Sequence, residues 1–174
     1  MVIYLNGTSS AGKSTLACEL QKQLDLPIFY FSIDTLLYSL PTQIIESLEG
    51  KQKHSASMNW VSIFQGYFSC VRALHDTGNI VIADCPVYNE DIYSFYEKNL
   101  SSVEQKFVFG VICPLSKLQE RELQRKDRVV GLAEKQFKGI HKYLQYDLSM
   151  DSSVTDVTTI SKELISSLKE KLKF

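Results

Sequence analysis

Val2-Ile3-Tyr4-Leu5-Asn6 runs into Gly7-Thr8-Ser9-Ser10-Ala11-Gly12-Lys13-Ser14-Thr15, and the reading of this stretch decides how the rest of the chain is read. A short apolar run breaks into a G-x-x-x-x-G-K-[ST] loop and then into helical apolar spacing at Leu16, Ala17, Leu20 and Leu24. Each residue type has a task if a nucleoside triphosphate sits there. The glycines let the backbone wrap the phosphates, successive amide N–H groups face the anion, Lys13 reaches the β and γ phosphates, and Ser14 coordinates magnesium. The helix beginning near Lys13 adds its unpaired N–H groups and positive dipole end. Gly and Ser also build ordinary turns, but an ordinary turn needs no strand before it and no helix after it. Gly7, Thr8, Ser9, Ser10, Ala11, Gly12, Lys13, Ser14 and Thr15 are therefore expected to bind ATP, with Ser14 on Mg²⁺.

The chain has 174 residues, enough for one core and short for two domains, so a single domain over 1–174 is expected. Hydrophobic residues make up 44% and charged residues 22%, which places it among globular proteins and away from disordered ones. A formal net charge of -1 gives no electrostatic footprint for a nucleic-acid partner. No apolar run has the length of a membrane span and no signal peptide is visible, so a cytoplasmic protein without a membrane partner is expected. Homo-oligomerisation is allowed by this composition. Cys18, Cys70, Cys85 and Cys113 form no C-x-x-C pair, and reduced, buried thiols are the expectation.

Strand and helix patterns alternate along the chain. Helix is expected over 13–24, strand over 28–33 with both faces buried, and a short helical or turn segment over 36–40. An exposed loop over 47–57 carries His54. A helix over 59–76 follows, with an aromatic stripe that reads as core and can also wall a ligand site. Strand over 79–83, helix over 90–100 and strand over 106–112 come next. The order predicts a three-layer α/β/α P-loop kinase fold with a five-stranded parallel sheet, whose right-handed crossovers bring the strand ends to one edge. Asp34 stands at such an end, either as a helix N-cap or as a catalytic carboxylate. Asp84 closes the third strand, where a carboxylate holds magnesium directly or through water, and Pro86 weakens the helix-cap alternative.

Arg121, Arg125 and Arg128 recur at i, i+4 and i+7, so on a continuous helix they share one face. Such charges are commonly a solvated face; beside a phosphate loop they suggest a clamp on the triphosphate. Gly131 breaks the pattern, and a short helical lid is expected over about 121–133. Beyond it a helix is expected over 134–144, with His141 packed or solvated, then a weak strand over 146–150 and a last helix over 160–172.

The combination Leu5-Asn6-Gly7-Thr8-Ser9-Ser10-Ala11-Gly12-Lys13-Ser14, Ile33-Asp34-Thr35-Leu36, Arg121 through Ala133, Gln136, His141 and Tyr146-Asp147 resembles the chloramphenicol phosphotransferase-like family of P-loop kinases, over most of the chain. The resemblance implies ATP-dependent phosphorylation of a small-molecule hydroxyl, chloramphenicol or a related antibiotic in the named case. It also implies that Asp34 is the general base or hydroxyl-orienting group, with Arg121, Arg125 and Arg128 on the phosphates. Asp84-Cys85-Pro86 departs from the family's paired acids after the third strand, and residues 41–58 show no family likeness. The apolar run Ile33 to Ile45, uncharged apart from Asp34, favours an apolar or aromatic acceptor. A shikimate- or nucleotide-type metabolite kinase, and a non-catalytic nucleotide-binding module, are the alternatives.

Overall fold

The computed structural model describes residues 1–53, 57–125 and 130–172, of Leu172 only the backbone. Its centre is a five-stranded parallel sheet in the order β2-β3-β1-β4-β5, formed by β1 (Val2–Asn6), β2 (Ile28–Ser32), β3 (Ile80–Asp84), β4 (Lys106–Ile112) and β5 (Leu148–Asp151). Strand β1 is flanked on both sides, Leu5 pairing with Asp84 on β3 and with Phe109 on β4. All five residues of β1 are buried, as a central parallel strand requires.

The alternation of side chains along β1 sorts the two outer layers. Ile3 and Leu5 pack with Leu16 and Leu20 of α1 (Lys13–Leu24). Ile160, Leu164 and Leu168, from the C-terminal helix, complete that layer. Val2 and Tyr4 face the other way, into a layer built on Phe68, Ile92 and Tyr96. There the Tyr4 ring stacks on Phe68 and meets Tyr96 edge-on, while its hydroxyl donates to the Cys85 carbonyl at 2.6 Å.

The remaining helices are α2 (Ile33–Leu37), α3 (Thr42–Leu48), α4 (Trp60–Asp76), α5 (Glu90–Leu100), α6 (Leu115–Gln124), α7 (Leu132–Phe137) and α8 (Val157–Leu172). Helices α4 and α5 begin on Asn59 and Asn89, whose side chains accept the N–H of Ser62 and Ile92. These are N-caps of the ordinary kind. Each helix follows a strand in a parallel crossover, so both present their first turns at the carboxyl edge of the sheet, beside the phosphate loop.

The structure departs from the sequence expectations at several points. Strand β2 lies at the sheet edge, so it is not buried on both faces: Phe29 is 49% exposed. Helix α3 covers residues 42–46, for which no element is expected, and enters the expected loop at Ser47 and Leu48; His54 lies outside the described residues. Helix α6 stops at Gln124, and Arg125 is extended (φ -84°, ψ 142°), so Arg121 and Arg125 do not share a helical face. Arg128 lies outside the described residues. The helix expected over 134–144 ends at Phe137 because the chain turns there to lay Gly139 against the backbone of Tyr88. Cys85 and Cys113 are buried, whereas Cys18 and Cys70 are exposed.

A Cβ at position 139 would collide with the Tyr88 carbonyl, which is backbone and cannot rotate away. Gly139→Ala is expected to lower unfolding free energy by about 1–3 kcal/mol, the usual cost of overpacking, measured as a fall in the urea midpoint at unchanged slope.

Candidate phosphoryl-transfer site

The phosphate loop leaves β1 at Gly7, where any side chain would meet the Val111 carbonyl oxygen at 2.6 Å from its Cβ. This glycine is thus required by close approach to β4. Gly12 is required by conformation, at φ 97°, and Ser10 also adopts the left-handed region at φ 63°. Alternating hands of this kind turn successive N–H groups toward one point, forming an anion-binding nest. Thr8, Ser9, Ser10 and Lys13 are all buried. The Ser9 and Ser10 hydroxyls have no hydrogen-bond partner among the described residues, an arrangement that buried polar atoms rarely keep without a ligand to meet them.

Lys13 curls over the loop, its Nζ donating to the Thr8 carbonyl at 2.9 Å and lying 3.5 Å from Asp84 Oδ1. The other Asp84 oxygen accepts the Tyr30 hydroxyl at 3.0 Å. Burial drives the Asp84 carboxyl above its ordinary range; Lys13 and the Tyr30 hydrogen bond oppose the shift, and Asp34 adds to it. Burial and the charge of Asp84 push the Tyr30 phenol up in turn, so it stays a donor. Asp84, one of the two residues expected on the metal, is therefore met by a phenol that sequence reading passed over.

Asp34 is neither the last residue of a strand nor a cap. Ser32 caps α2, its hydroxyl accepting the Thr35 N–H while Thr35 reaches back to the Ser32 N–H. That capping box removes the cap alternative and leaves Asp34 in the first turn of α2, on the wall of a cleft. The cleft encloses about 740 Å³ and joins the phosphate loop to Asp34, Asp84 and the aromatic side chains of α4 and α5. A second cavity, of about 440 Å³, is lined by residues of α2, α3 and the start of α7, Asp34 among them. Asp34, Leu37, Trp60, Leu132 and Lys135 belong to both.

Arg121 is brought to the site, at its back. Its guanidinium donates to the Ser152 carbonyl at 2.7 Å, the Ser152 hydroxyl at 3.2 Å and the Ser10 carbonyl at 3.4 Å. Ser152 donates in turn to the Ala11 carbonyl at 2.8 Å. The pair holds the outward carbonyls of the loop so that its N–H groups face in. Arg125 lines the cleft beside it. Gln136 adds a tie from above, its side-chain oxygen accepting the Ser9 N–H at 2.7 Å.

Glu122 is 1% exposed and accepts the N–H of Gly131 at 2.8 Å and of Ala133 at 3.0 Å. This buried carboxylate caps α7 from a distance and ties the first turn of α7 to α6. Nothing in a helical charge pattern separates Glu122 from its solvated neighbours; only the N–H groups of a later helix reveal it.

Three comparisons with known proteins bear on this geometry. A family model described as chloramphenicol phosphotransferase-like protein matches residues 1–169. Two sequences from Mycobacterium tuberculosis strains, each named "Putative O-phosphotransferase", are 25% identical over 182 residues, covering 94% of this chain and 80% of theirs. Among solved structures, a sugar kinase from Janibacter sp. superposes with a TM-score of 0.67 at 15% identity, over 99% of this chain and 94% of that one. The APS kinase of Mycobacterium tuberculosis, in complex with AMPPNP and APS, gives 0.63 at 16% identity, over 97% and 96%. The structural likenesses show a P-loop kinase fold.

Glu122→Gln keeps one acceptor and turns an NH₂ group toward a backbone N–H. The variant is expected to lose about 1–3 kcal/mol, the cost of a buried unsatisfied donor, read from its denaturant midpoint. Amide exchange should accelerate at Gly131 and Ala133 before it does in β1.

Proposed function

The chain belongs to the chloramphenicol phosphotransferase-like family and is a phosphotransferase with an alcohol group as acceptor; from that premise we propose that it transfers the γ-phosphate of ATP to an apolar or aromatic small molecule, chloramphenicol or a related antibiotic lying within that class. The observation that carries the reading is the position of Asp34. It lines the same cleft as the phosphate loop and the aromatic side chains of α4 and α5. The walls contributed by α4 and α5 hold Trp60, Phe64 and Phe95 and no lysine or arginine, which disfavours phosphorylated or carboxylated acceptors.

In this reading Asp34 accepts the acceptor's hydroxyl proton, or orients the hydroxyl toward the phosphate. The N–H groups of Gly7 to Thr15 and the Lys13 ammonium hold the triphosphate, and the orphaned hydroxyls of Ser9 and Ser10 fit such an occupant. Ser14 and Asp84 would hold Mg²⁺, which supplies charge neutralisation on the phosphates. Arg125 and Arg128 neutralise charge on the transferred group, and Arg121 supports the loop they act across. The segment over 121–133 serves as the lid that excludes water.

Purified protein incubated with ATP·Mg²⁺ and a panel of aromatic alcohols is expected to yield a phosphorylated product by mass spectrometry. Asp34→Asn should slow that transfer by about 10²-fold or more, with AMPPNP affinity by calorimetry unchanged within about twofold. Equal rates in the two proteins would remove Asp34 from the chemistry. Lys13→Ala should instead lose nucleotide affinity.

A further inference from the structure

The basic residues lining the cleft keep away from the wall formed by α4 and α5, whereas acidic residues, Asp34, Asp84 and Asp156 among them, line other parts of it. Its basic residues, Lys13, Arg121, Arg125 and Lys135, come from the phosphate loop with α1, from α6 and its end, and from α7, while α4 and α5 contribute Trp60, Val61, Phe64, Asp91, Ile92 and Phe95. Asp91 is the one charged side chain that those two helices bring to the cavity among the described residues, and it has no hydrogen-bond or ion-pair partner for its carboxylate there. Carboxylates are common in first turns because the helix dipole favours them, but Glu90 already occupies that turn and does not line the cavity. The rings beside it are unusual for a water-facing wall. Trp60 is 42% exposed, lies 6.1 Å from Phe64 between ring centroids, and is joined by Phe95 from the neighbouring helix.

An unpaired carboxylate in a cavity walled by aromatic faces has the chemistry that recognises an organic ammonium. The carboxylate supplies the opposite charge, the ring quadrupoles attract the cation, and the apolar faces accept the carbon skeleton around it. We propose that the acceptor is an amino alcohol, with its hydroxyl at Asp34 and its protonated amine in a subsite formed by Asp91 and the aromatic rings of α4 and α5. The inference rests on the phosphoryl-transfer reading above and narrows its substrate class. It excludes an anionic acceptor and ranks an amine above the corresponding amide.

Three probes of one skeleton test it by calorimetry on the full chain at pH 7: phenylalaninol, with an ammonium; N-acetylphenylalaninol, neutral; and 3-phenyllactate, anionic. Wild type is expected to bind phenylalaninol about tenfold more tightly than its N-acetyl form, in the range of a carboxylate contact with cation–π support, and 3-phenyllactate most weakly. Asp91→Asn should abolish that preference, and Glu90→Gln should keep it. Both substitutions leave the Asn89 cap of α5 in place, so unliganded melting temperatures check that folding is retained. A wild type without the preference, an Asp91→Asn protein that retains it, or a Glu90→Gln protein that loses it equally would overturn the subsite. Phosphate transfer to the two alcohols is followed in parallel. Equal transfer to both overturns the ammonium subsite and leaves the kinase reading standing. The ammonium preference without phosphate on either alcohol supports the subsite and counts against the kinase reading.

Discussion

The side-chain amide of Asn6 is the contact on which the geometry of the site depends. It is completely buried at the end of β1, donates to the Ile140 carbonyl at 2.7 Å and the Tyr146 hydroxyl at 2.8 Å, and accepts the Val87 N–H at 2.9 Å. Three segments distant in sequence are thereby fixed to the residue that precedes the phosphate loop: the stretch after β3, the turn after α7 and the approach to β5. Each bond lies in a region of low dielectric, where a satisfied polar group orders its neighbours and an unsatisfied one is costly. His141, whose Nδ1 lies 2.6 Å from the Tyr146 hydroxyl, joins the same network from outside.

Around that anchor the molecule assigns opposite duties to the two sides of one loop. Carbonyls of Ser10 and Ala11 are engaged from behind by Arg121 and Ser152. Lys13, Asp84 and Tyr30 form a connected polar group on the other side, in which the Asp84 carboxylate is shared between a cation and a phenol. Burial alone would tend to protonate that carboxyl, and the two donors are what oppose it. A rigid, prepaid arrangement of this kind is the structural side of electrostatic preorganisation.

Much of this was legible in the sequence wherever the information is local. The loop, α1, α4, α5 and the central strands follow from residue spacing and from Pro and Gly stops. What escaped depends on partners far along the chain. Phe29 reads as a buried strand residue until strand order puts β2 at an edge. The three arginines read as one helical face, yet α6 ends at Gln124, and Glu122, in its last turn, serves α7 instead of solvent. Tyr30 reads as one aromatic among several, and only the parallel pairing of β2 with β3 brings its hydroxyl to Asp84. Ser152 lies in a turn whose sequence carries no hint that it will meet the loop. For Asp34, the decisive signal was the neighbouring Ser32 and Thr35, a short capping box that local reading could have found.

The bond between Gln136 and the Ser9 N–H has a thermodynamic consequence. A phosphate oxygen that claims that N–H must displace the glutamine, so the free energy of filling the loop includes the release of α7. By linkage the relation runs both ways: whatever shifts α7 changes the affinity of the loop by the same factor that loop occupancy changes the balance of α7. One amide proton therefore makes occupancy of the loop and the position of α7 a single equilibrium.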